Sequence, residues 1–168
     1  GEGIRVYGNS DGFLAGYRET EHSVSCAVVG TQDGAMETDY EYAVARDPRR
    51  LPPPAATGRE AGLRTAHRLG AVKLTTRTVP VLFPARHARG LVGSLLGAIS
   101  GGAQYRRASF LAGQAGQQVF ADWIRIDERP HLPGALASAA FDDEGVATRD
   151  RTLIDGGVLT GYLLGSYY

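Results

Sequence analysis

The segment RDPRRLPPPAA, residues 46–56, constrains the fold more than any other part of the chain. Pro52, Pro53 and Pro54 have no backbone N–H to give to a sheet, and their rings clash with a preceding helical turn. The run therefore enters neither a helix interior nor a central strand. It reads as a stiff connector over 47–57, between a strand-rich part over 1–46 and a part with two helices and further strands over 58–168.

Ahead of the connector, apolar runs predict strands over 4–6 and 13–17 around the turn cluster Gly8-Asn9-Ser10-Asp11-Gly12. A second pair is predicted over 23–29 and 38–44, separated by the turn region Gly30-Thr31-Gln32-Asp33-Gly34. In that pair Glu37, Asp39 and Glu41 alternate with Thr38, Tyr40 and Tyr42, and a period of two with charge on one side predicts a strand whose charged face is wet.

Beyond the connector, Thr57-x-x-Glu60 has the form of a capping box and predicts a helix over 58–69. A short apolar strand follows over 79–83, with Pro80 placing it at an edge or a strand start. A second helix is expected over 85–100, ended by Gly101-Gly102, then a strand over 119–126. The last run is a hairpin over 152–164 turning at Asp155-Gly156-Gly157. The fold class is α+β, an antiparallel β-rich fold with two central helices and no βαβ alternation.

Eighteen basic and eighteen acidic residues cancel, so no bulk field draws the chain to nucleic acid or to an anionic membrane. No apolar run is long enough to cross a bilayer, and the opening GEGIRVYGNS lacks the order of a signal peptide, which makes the cytoplasm the expected location. The lone Cys26 agrees with a reducing compartment. The chain starts at Gly1 inside a strand-like run and stops at Tyr168 inside an apolar one, as a piece of a longer protein would.

The chemistry-bearing candidates are few. RGLVGSLLGAISGG, residues 89–102, is glycine-rich but has neither the lysine of a P-loop nor G-x-G-x-x-G opening a helix after a strand. Ser94 in Gly93-Ser-Leu-Leu-Gly97 misses the spacing of a nucleophile elbow, and the small residues Gly93, Ser94, Gly97 and Ala98 instead offer a shallow face for close packing. His22 and Cys26, four apart, share a strand face and could form a nucleophilic couple or be ordinary interior residues. Asp142-Asp143-Glu144-Gly145 reads as a solvated turn, since a calcium loop needs ligands spread along a longer segment. His67, His87 and His131 are too scattered for a metal site. Arg106 and Arg107, with Tyr105 and Arg89 nearby, could receive a carboxylate or lie in solvent.

Four landmarks in order carry a resemblance: 7–13 (YGNSDGF), 97–110 (GAISGGAQYRRASF), 130–134 (PHLPG) and 141–148 (FDDEGVAT). Together they resemble the TldD/PmbA family, and specifically its PmbA (TldE) branch. The resemblance implies a two-domain bacterial protein in a cytoplasmic heterodimer that acts as a metallopeptidase on small or unfolded peptides. TldD-type subunits carry His-Glu-x-x-x-His on the helix of this region, with a later cysteine completing a zinc site, and the glutamate is then the general base. Aligned through Arg106-Arg107 and Gly113-Gln114, that motif falls on Gly93, Ser94 and Ala98, so the resemblance assigns no catalytic or metal-binding residue to this chain. Zinc is expected on a TldD-like partner subunit. The partners implied are that catalytic subunit and an extended peptide, with a homodimer as the alternative assembly and no nucleic acid or membrane. A non-enzymatic regulatory protein, in keeping with the family's description as a modulator of DNA gyrase, is the alternative function. Self-association with hydrolysis by other residues is a third.

Overall fold

The computed structural model describes residues 1–167, which fall into two compact units. The first comprises 1–77 with 132–138, and the second 78–131 with the described residues from 139 on. The architecture is α+β with antiparallel strands throughout.

In the first unit, β1 (Glu2–Gly8) and β2 (Leu14–Thr20) form a two-stranded ribbon. Asn9 sets its turn, accepting through Oδ1 from the N–H groups of Asp11 and Phe13, both at 3.1 Å. A longer ribbon joins β3 (His22–Gln32) to β4 (Ala35–Ala45). Its strands run well past the expected limits, because only Asp33 (φ 51°) and Gly34 (φ 79°) make the turn, a two-residue connection that suits the twist of the ribbon. A 3₁₀ turn at Pro48–Arg50 is capped by Asp47, whose Oδ1 accepts from Arg49 N at 2.9 Å.

Helix α1 (Pro54–Arg68) starts three residues before the capping box. Pro54 is the reason: at the first helical position its missing N–H costs nothing and its φ is already helical. Thr57 therefore does not cap. Its hydroxyl is buried without a hydrogen-bond partner among the described residues, and Glu60 instead accepts from Arg64 Nε at 2.9 Å.

The charged row of β4 was expected to face water, and the fold reverses this. Glu37, Asp39 and Glu41 are half-buried beneath α1, while Met36, Thr38 and Tyr40 are exposed. The reason is charge pairing: Arg64 reaches Glu41 at 2.7 Å, and Arg68 reaches Glu37 at 3.2 Å and Asp39 at 3.7 Å. Two arginines on the inner side of α1 make the acidic face the better one to cover. Ala61 and Thr65 of the same helix are buried, and Thr65 Oγ1 donates to Ala61 O at 2.9 Å. Gly30 lets this helix come close, since a Cβ there would lie 3.1 Å from Thr65 Cγ2 and 3.4 Å from Leu69 Cδ1.

Arg46 ties the segment 132–138 into the same unit. Its guanidinium donates to Thr20 O at 3.0 Å and to Leu136 O, and pairs with Glu19 at 3.0 Å.

No strand forms over 79–83, and residues 71–84 carry neither helix nor strand. Pro80 and Pro84 remove two donors and no described strand pairs with the run, so Val79, Val81 and Leu82 stay exposed.

The second unit contains α2 (Ala85–Ala98), α3 (Gly101–Tyr105) and a sheet of order β5-β6-β7, with β5 at Ile126–Glu128, β6 at Arg151–Asp155 and β7 at Val158–Leu159. Its core is Leu95, Ile99, Leu111, Leu153, Ile154 and Leu159. The expected strand over 119–126 is reduced to β5. Val119 and Phe120 both donate to Gly157 O at 3.0 Å, and Ile124 closes a turn on Ala121 O, so the chain coils over the β6–β7 hairpin instead of extending. Gly157 (φ 79°) is required there, because a Cβ would run into Gln118 Nε2 and the carbonyl of Phe120. Tyr162 pins the 111–115 loop: its hydroxyl donates to Leu111 O at 2.9 Å and accepts from the N–H groups of Gln114 and Ala115. Among the described residues no helix is long and apolar enough to cross a membrane.

Candidate functional site

Helix α2 carries Gly93, Ser94 and Ala98, the residues onto which the resemblance alone lays a metal motif. Leu95 is buried and Ile99, one residue past the helix end, is fully so; this side of the helix is fixed to the core. Leu91, Val92, Gly93, Ser94 and Leu96 are exposed.

Gly101-Gly102 do not end the helix, as expected; they open α3. The break lies at Ile99-Ser100, where Ser100 Oγ donates to Gly97 O at 2.8 Å and accepts from Ala103 N at 3.4 Å, capping the new helix. The groups freed by the break find partners on Leu163, whose N–H donates to Ile99 O at 2.9 Å and whose carbonyl accepts from Gly101 N at 2.7 Å. The break is thus held by hydrogen bonds to Leu163 and by the Ser100 cap.

At positions 93, 94 and 98 the side chains offer no metal chemistry. Gly93 and Ala98 carry no donor atom, and Ser94 Oγ is turned back to Gly90 O at 3.0 Å. A neutral imidazole or a carboxylate is what zinc or another divalent ion takes, and this donor set does not fit one. Among the described residues no three His, Cys, Asp or Glu side chains converge on a common point. Among the described residues the glycines of the small-residue face are open: a Cβ on Gly90, Gly93 or Gly97 would meet nothing within 4 Å.

The remaining candidates separate cleanly. His22 and Cys26 do share the inner face of β3, but a strand rises about 3.3 Å per residue, which sets their backbones roughly 13 Å apart and excludes a nucleophilic couple. Cys26 instead packs near Gly58 of α1. His67 and His87 are exposed on different helices, and His131 meets Thr148 Oγ1 at 3.0 Å. The acidic turn is more than a solvated one. Asp142 Oδ1 accepts from Glu144 N and Val146 N, both at 2.9 Å, within the turn, and the Glu144 carboxylate accepts from Ser166 N at 2.7 Å near the far end of the chain, so two of its three carboxylates bond to backbone. Arg106 and Arg107 are exposed, the latter at φ 51°, and neither has an ion-pair partner among the described residues.

Sequence patterning missed the Arg125 network. Arg125 pairs with Asp127 at 3.0 Å and Asp155 at 2.7 Å and donates to Thr152 Oγ1, which holds the Asp127 carboxyl below the usual carboxylate range. The hydrogen bond from Arg125 is the largest cause, with that from Thr152 next. Three charged side chains over thirty residues give no local signal.

Against known proteins, residues 1–69 match the central domain of the PmbA/TldA metallopeptidases, and residues 76–168 match the C-terminal domain of the same family. The Metalloprotease PmbA homolog of Haemophilus influenzae is 45% identical over 98% of this chain, and Metalloprotease PmbA of Escherichia coli O157:H7 is 46% identical over the same share. The chain spans 37% of the length of each. A crystal structure of a candidate modulator of DNA gyrase from Bacteroides thetaiotaomicron superposes on 99% of the chain, and the chain on 38% of it, with a TM-score of 0.92 at 26% identity.

Proposed function

The chain belongs to the PmbA/TldA metallopeptidase family, and from that premise we propose that it is part of a PmbA-like subunit which carries no metal itself and works with a metal-bearing, TldD-like subunit on small or unfolded peptides. One observation carries the reading. The helix that would bear the metal motif has glycine, serine and alanine at the three required positions, and these side chains cannot ligate zinc or act as general base. With the chemistry assigned to the partner, the work left to this chain is to shape the enclosure and hold the substrate's backbone. Exposed strand edges do that by pairing with extended peptide, which requires no particular sequence. The cytoplasm is the proposed location.

Co-expression of the full-length protein with its TldD-like neighbour tests the reading. Metal content and peptide hydrolysis are measured for the pair and for each subunit alone. The expected result is zinc and activity in the pair, with neither on this subunit in isolation. Stoichiometric zinc or hydrolysis on the isolated subunit overturns the proposal. The likeness to a candidate gyrase modulator favours a second reading, a regulatory protein without peptidase partnership, which gains if no complex forms.

A further inference from the structure

Aspartate followed by glycine occurs three times in the chain, at Asp11-Gly12, Asp33-Gly34 and Asp155-Gly156. The dipeptide has a chemistry of its own. The glycine nitrogen is a nucleophile within reach of the aspartyl Cγ, and glycine has no Cβ to obstruct the approach. All six residues are exposed, so access to solvent does not separate the three sites. They differ in what the fold does with the two reacting groups.

At the first site the nucleophile is held. Gly12 N donates to Asn9 O at 3.3 Å, and Asn9 Oδ1 accepts from the N–H groups on either side, those of Asp11 and Phe13. At the third site the carboxylate is held. It accepts from Arg125 Nη1 at 2.7 Å, and the next residue but one, Gly157, is fixed by its N–H on Ile124 O at 2.8 Å and by Val119 and Phe120 on its carbonyl. The second site forms the tip of the β3–β4 hairpin, and among the described residues nothing bonds to the Asp33 carboxylate or to Gly34 N. Asp33 also sits in an uncomfortable conformation. Its φ of 51° lies in the left-handed region, which among the described non-glycine residues it shares with Arg107 and which an L residue occupies at a cost.

We propose that Asp33-Gly34 is a modification site, where aspartate converts spontaneously to isoaspartate. Gly34 N bonds to Asp33 Cγ, the Cγ–OH bond breaks, and the hydroxyl leaves as water with the amide proton. A five-membered imide remains, and water then adds back to one of its two carbonyls. Breaking the new N–Cγ bond restores aspartate. Breaking the former peptide bond instead leaves a free α-carboxylate and a backbone that runs through Cβ and Cγ. One water is lost and one regained, so the conversion needs no co-reactant. The product is freed from the restriction on φ, and its extra backbone atom lengthens the two-residue loop that sets the closing pair Gln32↔Ala35. None of this depends on the peptidase reading.

The test ages the full-length protein at mildly acidic pH, once folded and once in concentrated urea. Peptides spanning the three sites are then separated, and isoaspartate is assigned by electron-transfer fragmentation. In the folded protein isoaspartate should form at Asp33 about fivefold faster than at Asp11 or Asp155, the factor that one net hydrogen bond is worth. In urea the three rates should converge, because the holding groups are gone. Asp33→Asn supplies a second measurement, since asparagine tolerates positive φ and closes the same ring with loss of ammonia. The folded variant should release ammonia and yield both aspartate and isoaspartate at 33. The isomerised protein should also exchange the Gln32 and Ala35 amides faster than fresh protein, as the pair next to the added atom. Equal rates at the three sites in the folded protein, or a faster one at Asp11 or Asp155, overturn the proposal. So does a preference for Asp33 that persists in urea, which would place its cause in the sequence and not in the fold. An Asp33→Asn protein that keeps its amide when folded and loses it in urea overturns it as well, and unchanged exchange removes the effect on the hairpin.

Discussion

Helices α1 and α2 are nearly equal in length, fifteen and fourteen residues, and each is entered through proline, yet they meet the rest of their units by opposite means. On α1 the buried residues are Thr57, Ala61 and Thr65, small and mostly polar, laid over a sheet face whose acidic row is neutralised by the helix's own arginines. On α2 the fixed side is Leu95, followed by Ile99, while Leu91, Val92 and Leu96 face outward. The polar helix is the covered one and the apolar helix is half bare. Side-chain type alone therefore did not decide which surface was buried. The pairing available on the facing element did.

The largest test of this difference is in the second unit. Ile99→Ala should cost about 2–5 kcal/mol of stability, because a fully buried side chain leaves a cavity, while Leu96→Ala on the outer face of α2 should cost less than about 1 kcal/mol. Urea midpoints for the two variants check it, and equal losses would mean that the outer face is covered after all.

A pair of identical substitutions with opposite signs comes next. Gly30→Ala places a methyl 3.1 Å from Thr65 Cγ2, so α1 must shift, and a loss of about 1 kcal/mol is expected. Gly93→Ala meets nothing and gains helix propensity, so a rise of up to about 1 kcal/mol is expected in the isolated chain. Thermal melts of both settle the sign. If Gly93→Ala is stabilising alone but weakens assembly with a TldD-like subunit, the bare face of α2 is where that partner sits.

The smallest effect concerns Asp47, at the turn leading into α1. The Arg49 side chain, then the Arg49 N–H, hold its carboxyl down to about 2. A carboxyl depressed in the folded state contributes stability above its ordinary value near 4, and this is lost as pH falls toward 2. Asp47→Asn should remove a small slope in that window and leave the stability curve above about pH 5 parallel to that of the parent. Denaturant midpoints between pH 2 and 6 measure it.

Much of the fold was legible where the signal is local. Asp33-Gly34 and Asp155-Gly156-Gly157 announce their turns because positive φ admits few residue types. The limits of α1 were not, since a capping box at Thr57 competed with Pro54 and the proline, fixed in φ, prevailed. The orientation of β4 was misread because alternation states that two faces differ and leaves open which is covered. Arg64 and Arg68, more than twenty residues on, supplied that answer. At positions 93, 94 and 98 residues alone spoke only of packing. The proposal that a metal motif is missing there rests on the family resemblance.

Arg46 has one further consequence. Its bond to Leu136 makes the first unit discontinuous in sequence, since the segment 132–138 belongs to it while 78–131 does not. During synthesis, then, the first unit lacks its last piece until more than fifty residues of the second have been made. A fragment ending at residue 69, where the match to the central domain stops, would leave the Arg46 guanidinium without the carbonyl of Leu136. In this chain a domain boundary drawn along the sequence cuts through a folded body.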